Sequence, residues 1–160
     1  ILIGDLDEIP NMENLTTEKL VTPRSFIQNF YYYYVNNKSI GPQDCLWGGT
    51  VALMGKQFSS PQEHRNNRNH YVPIMDGGWH LSYMGGKDMI KKKIKAIAHT
   101  EYNHPQYYSD QHIEECLTNG KDIYNRKEMN FQIIELEKEF PEDILKILNT
   151  YKNFIYNYAN

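Results

Sequence analysis

Asp5 and Asp7 flank a single leucine directly after the apolar run Ile1-Leu2-Ile3-Gly4, and Pro10 ends the segment. In an extended chain, residues two apart project to the same side. Two carboxylates so placed at a strand's carboxyl end suit a hard divalent cation, which prefers oxygen ligands. A buried carboxylate without a partner is costly, so acids at the end of an apolar strand call for a purpose. Glu8 follows as a further oxygen donor near the site. Two chemistries use such a pair. One is metal-dependent transfer from a sugar nucleotide. The other is phosphatase chemistry of the haloacid-dehalogenase kind, in which the first Asp attacks phosphorus.

A second constellation is Asp76-Gly77-Gly78-Trp79-His80. Its glycines let backbone come close to a ligand. Trp79 offers a flat face to a sugar ring, and His80 can ligate a metal or carry a proton. Asp76 is a candidate general base or, because it precedes glycine, a turn-former. Trp47-Gly48-Gly49-Thr50 is either a wall of bare backbone for substrate or a strand with a bulge. His99, Glu101 and Asp110 add side chains able to bind substrate or take a proton. Glu101 and Asp110 also suit a helix end and a helix cap.

The elements that must position these groups follow from pattern. Ser25 to Val35 and Leu46 to Met54 read as strands paired in a long-looped hairpin. Tyr71 to Ile74 and Trp79 to Tyr83 read as short strands around the Asp76-Gly77-Gly78 turn. Thr16 to Val21 suits a short helix, and Gln57 to His70 reads as irregular. Ile90, Ile94, Ile97 and Ala98 recur at helical spacing, with a solvated lysine face opposite. Ser109 can cap a helix burying Ile113, Cys116 and Leu117, with Gly120 at its end. Phe131 to Leu136 suits a strand. Pro141 suits the first position of a last helix whose stripe is Ile144, Leu148, Tyr151, Ile155 and Tyr158.

The 160 residues fit one domain, and a net charge of -3 argues against a nucleic-acid partner. No stretch approaches the roughly 18 apolar residues of a membrane span. Cys45 and Cys116 are too few for a thiolate zinc site and read as free thiols. With no initial Met and a strand at its first residue, the chain reads as a fragment.

Asp5-Leu6-Asp7-Glu8-Ile9-Pro10, Trp47-Gly48-Gly49-Thr50, Gly78-Trp79-His80-Leu81-Ser82, Ala98-His99-Thr100-Glu101-Tyr102 and Phe140-Pro141-Glu142 occur in an order that resembles the family-17 glycosyltransferases. That family includes the enzyme that adds the bisecting N-acetylglucosamine to N-glycans. The resemblance implies an α/β fold, the carboxyl-terminal part of a GT-A type domain spanning residues 1–160. A mixed sheet with flanking helices is expected, with the nucleotide-binding half missing upstream. It implies inverting transfer from UDP-N-acetylglucosamine to a glycan acceptor, with Mn²⁺ or Mg²⁺ at the acids. Asp7 is then the direct metal ligand. Asp5 reaches the metal through water or touches the ribose, and Glu8 and His80 stand beside the cofactor. Substrate contacts fall to Trp47, Gly48, Gly49, Trp79 and His99. Asp76 is the expected base, with Glu101 and Asp110 as alternatives. The acceptor is open, and so is the location: the Golgi lumen for an animal-like member, the cytoplasm for a microbial or viral one. A non-catalytic carbohydrate-binding module is the rival reading, ahead of the phosphatase.

Overall fold

The computed structural model describes residues 1–41, 46–96, 102–127 and 129–157, and the fold is mixed α/β, with a mixed sheet and flanking helices. The strands are β1 (Leu2–Ile3), β2 (Glu8–Pro10), β3 (Arg24–Tyr32), β4 (Asn37–Ser39), β5 (Leu46–Ala52), β6 (Val72–Ile74), β7 (Gly78–Ser82) and β8 (Phe131–Ile133). The helices are α1 (Pro61–Asn67), α2 (Gly86–Ala96), α3 (Pro105–Tyr108), α4 (Asp110–Asn119) and α5 (Glu142–Thr150). The chain divides into two compact units, Ile1–Phe30 with Leu46–His80, and Tyr31–Cys45 with Leu81–Asn160. No helix among the described residues is long and apolar enough to cross a membrane.

In the first unit, β5 pairs antiparallel with both β1 and β3, as the hairpin expectation required. The β3–β5 register slips between Ser25 opposite Val51 and Ile27 opposite Gly48, which puts an extra residue at Gly49-Thr50. This is the bulge offered as one reading of the glycines. The core cluster is Phe26, Ala52 and Ile74, with Leu15 and Leu20 packed on it. The two short strands expected around the Asp76-Gly77-Gly78 turn are present, as β6 and β7, and they do not pair with each other. Instead β6 runs parallel to β3, whereas β7 pairs with β2 and β3.

Two expectations in this unit need correction. The acids do not continue a strand. β1 stops at Ile3, and Asp5 to Glu8 form a tight turn closed by Glu8 N–H donating to Asp5 O at 3.1 Å. Residues 57–70 are not irregular either, because α1 lies within them. Ser60 caps it by accepting from Glu63 N–H, and Pro61 fills its first turn. The helix has no apolar stripe, which hid it. Its only buried residue is His64, whose Nδ1 meets the Tyr71 hydroxyl at 2.8 Å.

In the second unit, α2 buries Ile90 and Ile94, while Ile97 and Ala98 lie outside the described residues. Helix α4 matches its reading closely: Ser109 Oγ accepts from His112 N–H, Ile113 and Cys116 are buried, and Gly120 ends it at φ 61°. β8 is shorter than expected and pairs antiparallel with β4. Pro141 precedes α5 as its cap, so the helix starts at Glu142. The proposed stripe breaks because α5 ends at Thr150 and Tyr151 is exposed. Tyr158 lies outside the described residues, as does Cys45.

Candidate functional site

The turn from Asp5 to Glu8 is built around the Glu8 carboxylate, whose side chain is 0% exposed. Trp47 Nε1–H donates to Glu8 Oε1 at 2.7 Å, and Arg68 Nη1 reaches the same oxygen at 3.4 Å. Asp5 N–H donates to Oε2 at 2.9 Å, and the Thr50 hydroxyl does so at 3.2 Å. A carboxylate offers about four lone-pair directions, so these donors occupy the full set. Both Glu8 oxygens are thus engaged by donors from within the protein.

Asp5 faces the arginines. Its Oδ1 lies 2.5 Å from Arg65 Nη2, and its Oδ2 lies 4.0 Å from Arg68 Nη1. The Arg68 guanidinium also stacks on Trp47, 4.6 Å from the ring centroid. A cation bound directly at Asp5 would meet two guanidinium charges at close range. Neither arginine was anticipated. The signal was present in the Ser60-Pro61 start of α1, which places Arg65 and Arg68 within a turn of each other.

Asp7 points the other way. β2 pairs with β7 so that Glu8 faces His80, Ile9 faces Trp79 and Pro10 faces Gly78. This register sets Asp7 Oδ2 3.5 Å from His80 Nε2. The imidazole is buried and packs against both Phe30, at 4.8 Å between centroids, and Trp47, at 4.5 Å. Among the described residues its Nδ1, though buried, has no hydrogen-bond partner, and its Nε2 is the nitrogen that faces Asp7.

The remaining expected residues are distributed as follows. Trp79 is buried, and the indole that packs on His80 is that of Trp47. Gly48 and Gly49 make room for the protein's own side chains: a Cβ at Gly48 would lie 2.5 Å from Asn69 Oδ1, and one at Gly49 would lie 2.0 Å from Gln28 Oε1. Asp76 is exposed at φ 51°, a left-handed conformation that Asp tolerates in turns. It precedes His80 by four positions, up to about 13 Å along an extended chain. Gly78, at φ 112°, lets this turn approach β2, since a Cβ there would lie 2.1 Å from Ile9 O. Asp110 belongs to the second unit, at the start of α4. Its exposed carboxylate lies 2.5 Å from Lys91 Nζ, and that hydrogen bond holds its carboxyl below its usual range. His99 and Glu101 lie outside the described residues.

Among the described residues, no group of three or more His, Cys, Asp or Glu side chains is arranged to hold a metal. Asp7 and His80 meet as a pair, one carboxylate oxygen facing one imidazole nitrogen. Comparisons of the chain with protein-family models, curated proteins and solved structures gave no match.

Proposed function

We propose that this chain is part of an inverting glycosyltransferase that transfers N-acetylglucosamine from UDP-N-acetylglucosamine to a glycan. The observation carrying this reading is the meeting of two distant segments. The acidic turn and the Gly78-Trp79-His80 strand, both prominent in the family-17 resemblance, are antiparallel neighbours, and Asp7 faces His80 across them.

The pair fits a divalent cation of the Mn²⁺ or Mg²⁺ kind. It supplies one carboxylate oxygen and one imidazole nitrogen, and such ions commonly take few protein ligands, with substrate phosphates completing the shell. Bound there, the ion would offset the charge gathering on the departing diphosphate. Asp7 and His80 would hold such an ion, and the ion would in turn bind the donor's diphosphate. Asp5 stays engaged with Arg65 and Arg68, so that the turn keeps its shape as Asp7 engages the donor. Asp7 and His80 are the centre of the site, and Asp76 forms the turn before β7.

The test is UDP binding to the full-length protein, followed by titration calorimetry with and without Mn²⁺. Binding should tighten with Mn²⁺, and Asp7→Ala and His80→Ala should each abolish that gain. Metal-independent UDP binding, unchanged in both variants, would refute the assignment. Glycan binding without any UDP binding would support a carbohydrate-binding module instead.

A further inference from the structure

We infer that Glu8 is a positioning residue: its buried carboxylate fixes the turn that aims Asp7 at His80. This rests on the reading of Asp7 and His80 as the centre of the donor site. Glu8 adjoins both, since it follows Asp7 in sequence and faces His80 in register.

Four observations converge on this role. The side chain is fully buried, so an incomplete set of partners would be costly. All its partners are donors: the Trp47 indole, the Thr50 hydroxyl, the Asp5 amide and the Arg68 guanidinium. One of those donors belongs to the turn itself. Glu8 N–H donates to Asp5 O while Asp5 N–H donates to Glu8 Oε2, so the turn is closed at both ends. Finally, the neighbouring backbone leaves the carboxylate space. A Cβ on Gly4 would lie 2.6 Å from Thr50 Oγ1 and 3.0 Å from Glu8 Oε2.

The same donors have a second attachment at the site. Trp47, which binds Glu8 through its Nε1–H, also packs on the His80 ring. Arg68 contacts Glu8 and covers Trp47. One carboxylate therefore sets both the turn carrying Asp7 and the indole that seats His80. A glutamine at this position would not be conservative. Its amide NH₂ would be turned toward groups that are themselves donors, leaving at least one buried donor unpaired.

The experiment compares wild type, Asp7→Ala and Glu8→Gln by two readings: Mn²⁺ affinity by electron paramagnetic resonance, and amide hydrogen exchange at Asp5 and Glu8. Circular dichroism confirms folding. Wild type should bind Mn²⁺ and Asp7→Ala should not. Folded Glu8→Gln should bind about 10–100-fold more weakly, the usual loss when an outer partner of a metal ligand is removed. Its Asp5 and Glu8 amides should exchange faster. A folded Glu8→Gln protein with wild-type Mn²⁺ affinity overturns the inference. Should Glu8→Gln fail to fold, Trp47→Phe and Thr50→Val each remove one donor and face the same criterion: unchanged affinity in both overturns it. Should wild type bind no Mn²⁺, the cation reading of Asp7 and His80 fails, and amide exchange alone decides whether Glu8 holds the turn.

Discussion

Asp7 and His80 lie far apart in the chain, yet the register of β2 against β7 brings Asp7 Oδ2 to 3.5 Å from His80 Nε2. Asp5, two residues before Asp7, is directed to Arg65 and Arg68. The D-x-D sequence is thus divided between two tasks. One acid anchors the turn to α1 and the other faces the histidine.

The two arginines should differ in their effect on stability. Arg65 is half-exposed, and its pair with Asp5 is the kind worth about 0–1 kcal/mol. Arg68 is more buried, contacts the buried Glu8 and covers Trp47. Arg68→Ala should cost about 1–3 kcal/mol, since it leaves a buried acceptor short of a partner and strips an aromatic face. Urea denaturation of the two alanine variants checks the order; equal losses would contradict it.

Gln28 is fully buried in β3, and among the described residues neither its Oε1 nor its Nε2 has a hydrogen-bond partner. Removing an unsatisfied buried amide while keeping its volume should be neutral or stabilising. Gln28→Met should therefore leave the unfolding free energy from urea denaturation unchanged or raise it, by up to about 1–2 kcal/mol. A clear loss of stability would show that the amide is satisfied in solution, for instance by an internal water.

Alkaline pH should unfold the protein progressively. Burial pushes the Cys116 thiol up to about 11 and raises the Tyr32, Tyr33 and Tyr83 hydroxyls as well. The folded state thus favours the protonated forms. Their contribution is fully present below the unfolded-state values, about 8.5 for Cys and 10 for Tyr. It is lost as pH rises from there through the folded-state values. Denaturant midpoints between pH 8 and 11 should fall with pH, and a midpoint that rises over this range would contradict the account. Cys116 should also resist alkylation in the folded protein at pH 8.

The sequence showed most where local chemistry and periodicity agree. Ser109, Gly120 and the buried pair Ile113 and Cys116 marked α4 from cap to cap. The β-branched and aromatic run of β3 declared itself equally clearly. Helix α1 was missed because its polar residues carry no apolar period, and its two arginines were missed with it. The turn at Asp5 was missed for a different reason. Its closure depends on the Glu8 side chain, and the partners that hold Glu8 in place come from β5 and from the segment after α1, beyond the reach of a local pattern. The packing of Trp47 on His80 follows the same logic: the two residues come from different strands, and no single strand reveals their contact.

The most direct measurement of the central claim is UDP release from UDP-N-acetylglucosamine by the full-length protein, with and without Mn²⁺, in wild type and Asp7→Ala. The account predicts Mn²⁺-dependent release that falls at least about 10²-fold in the variant, equivalent to ~2.7 kcal/mol of transition-state stabilisation. Wild-type turnover by Asp7→Ala, or release indifferent to Mn²⁺, would contradict it.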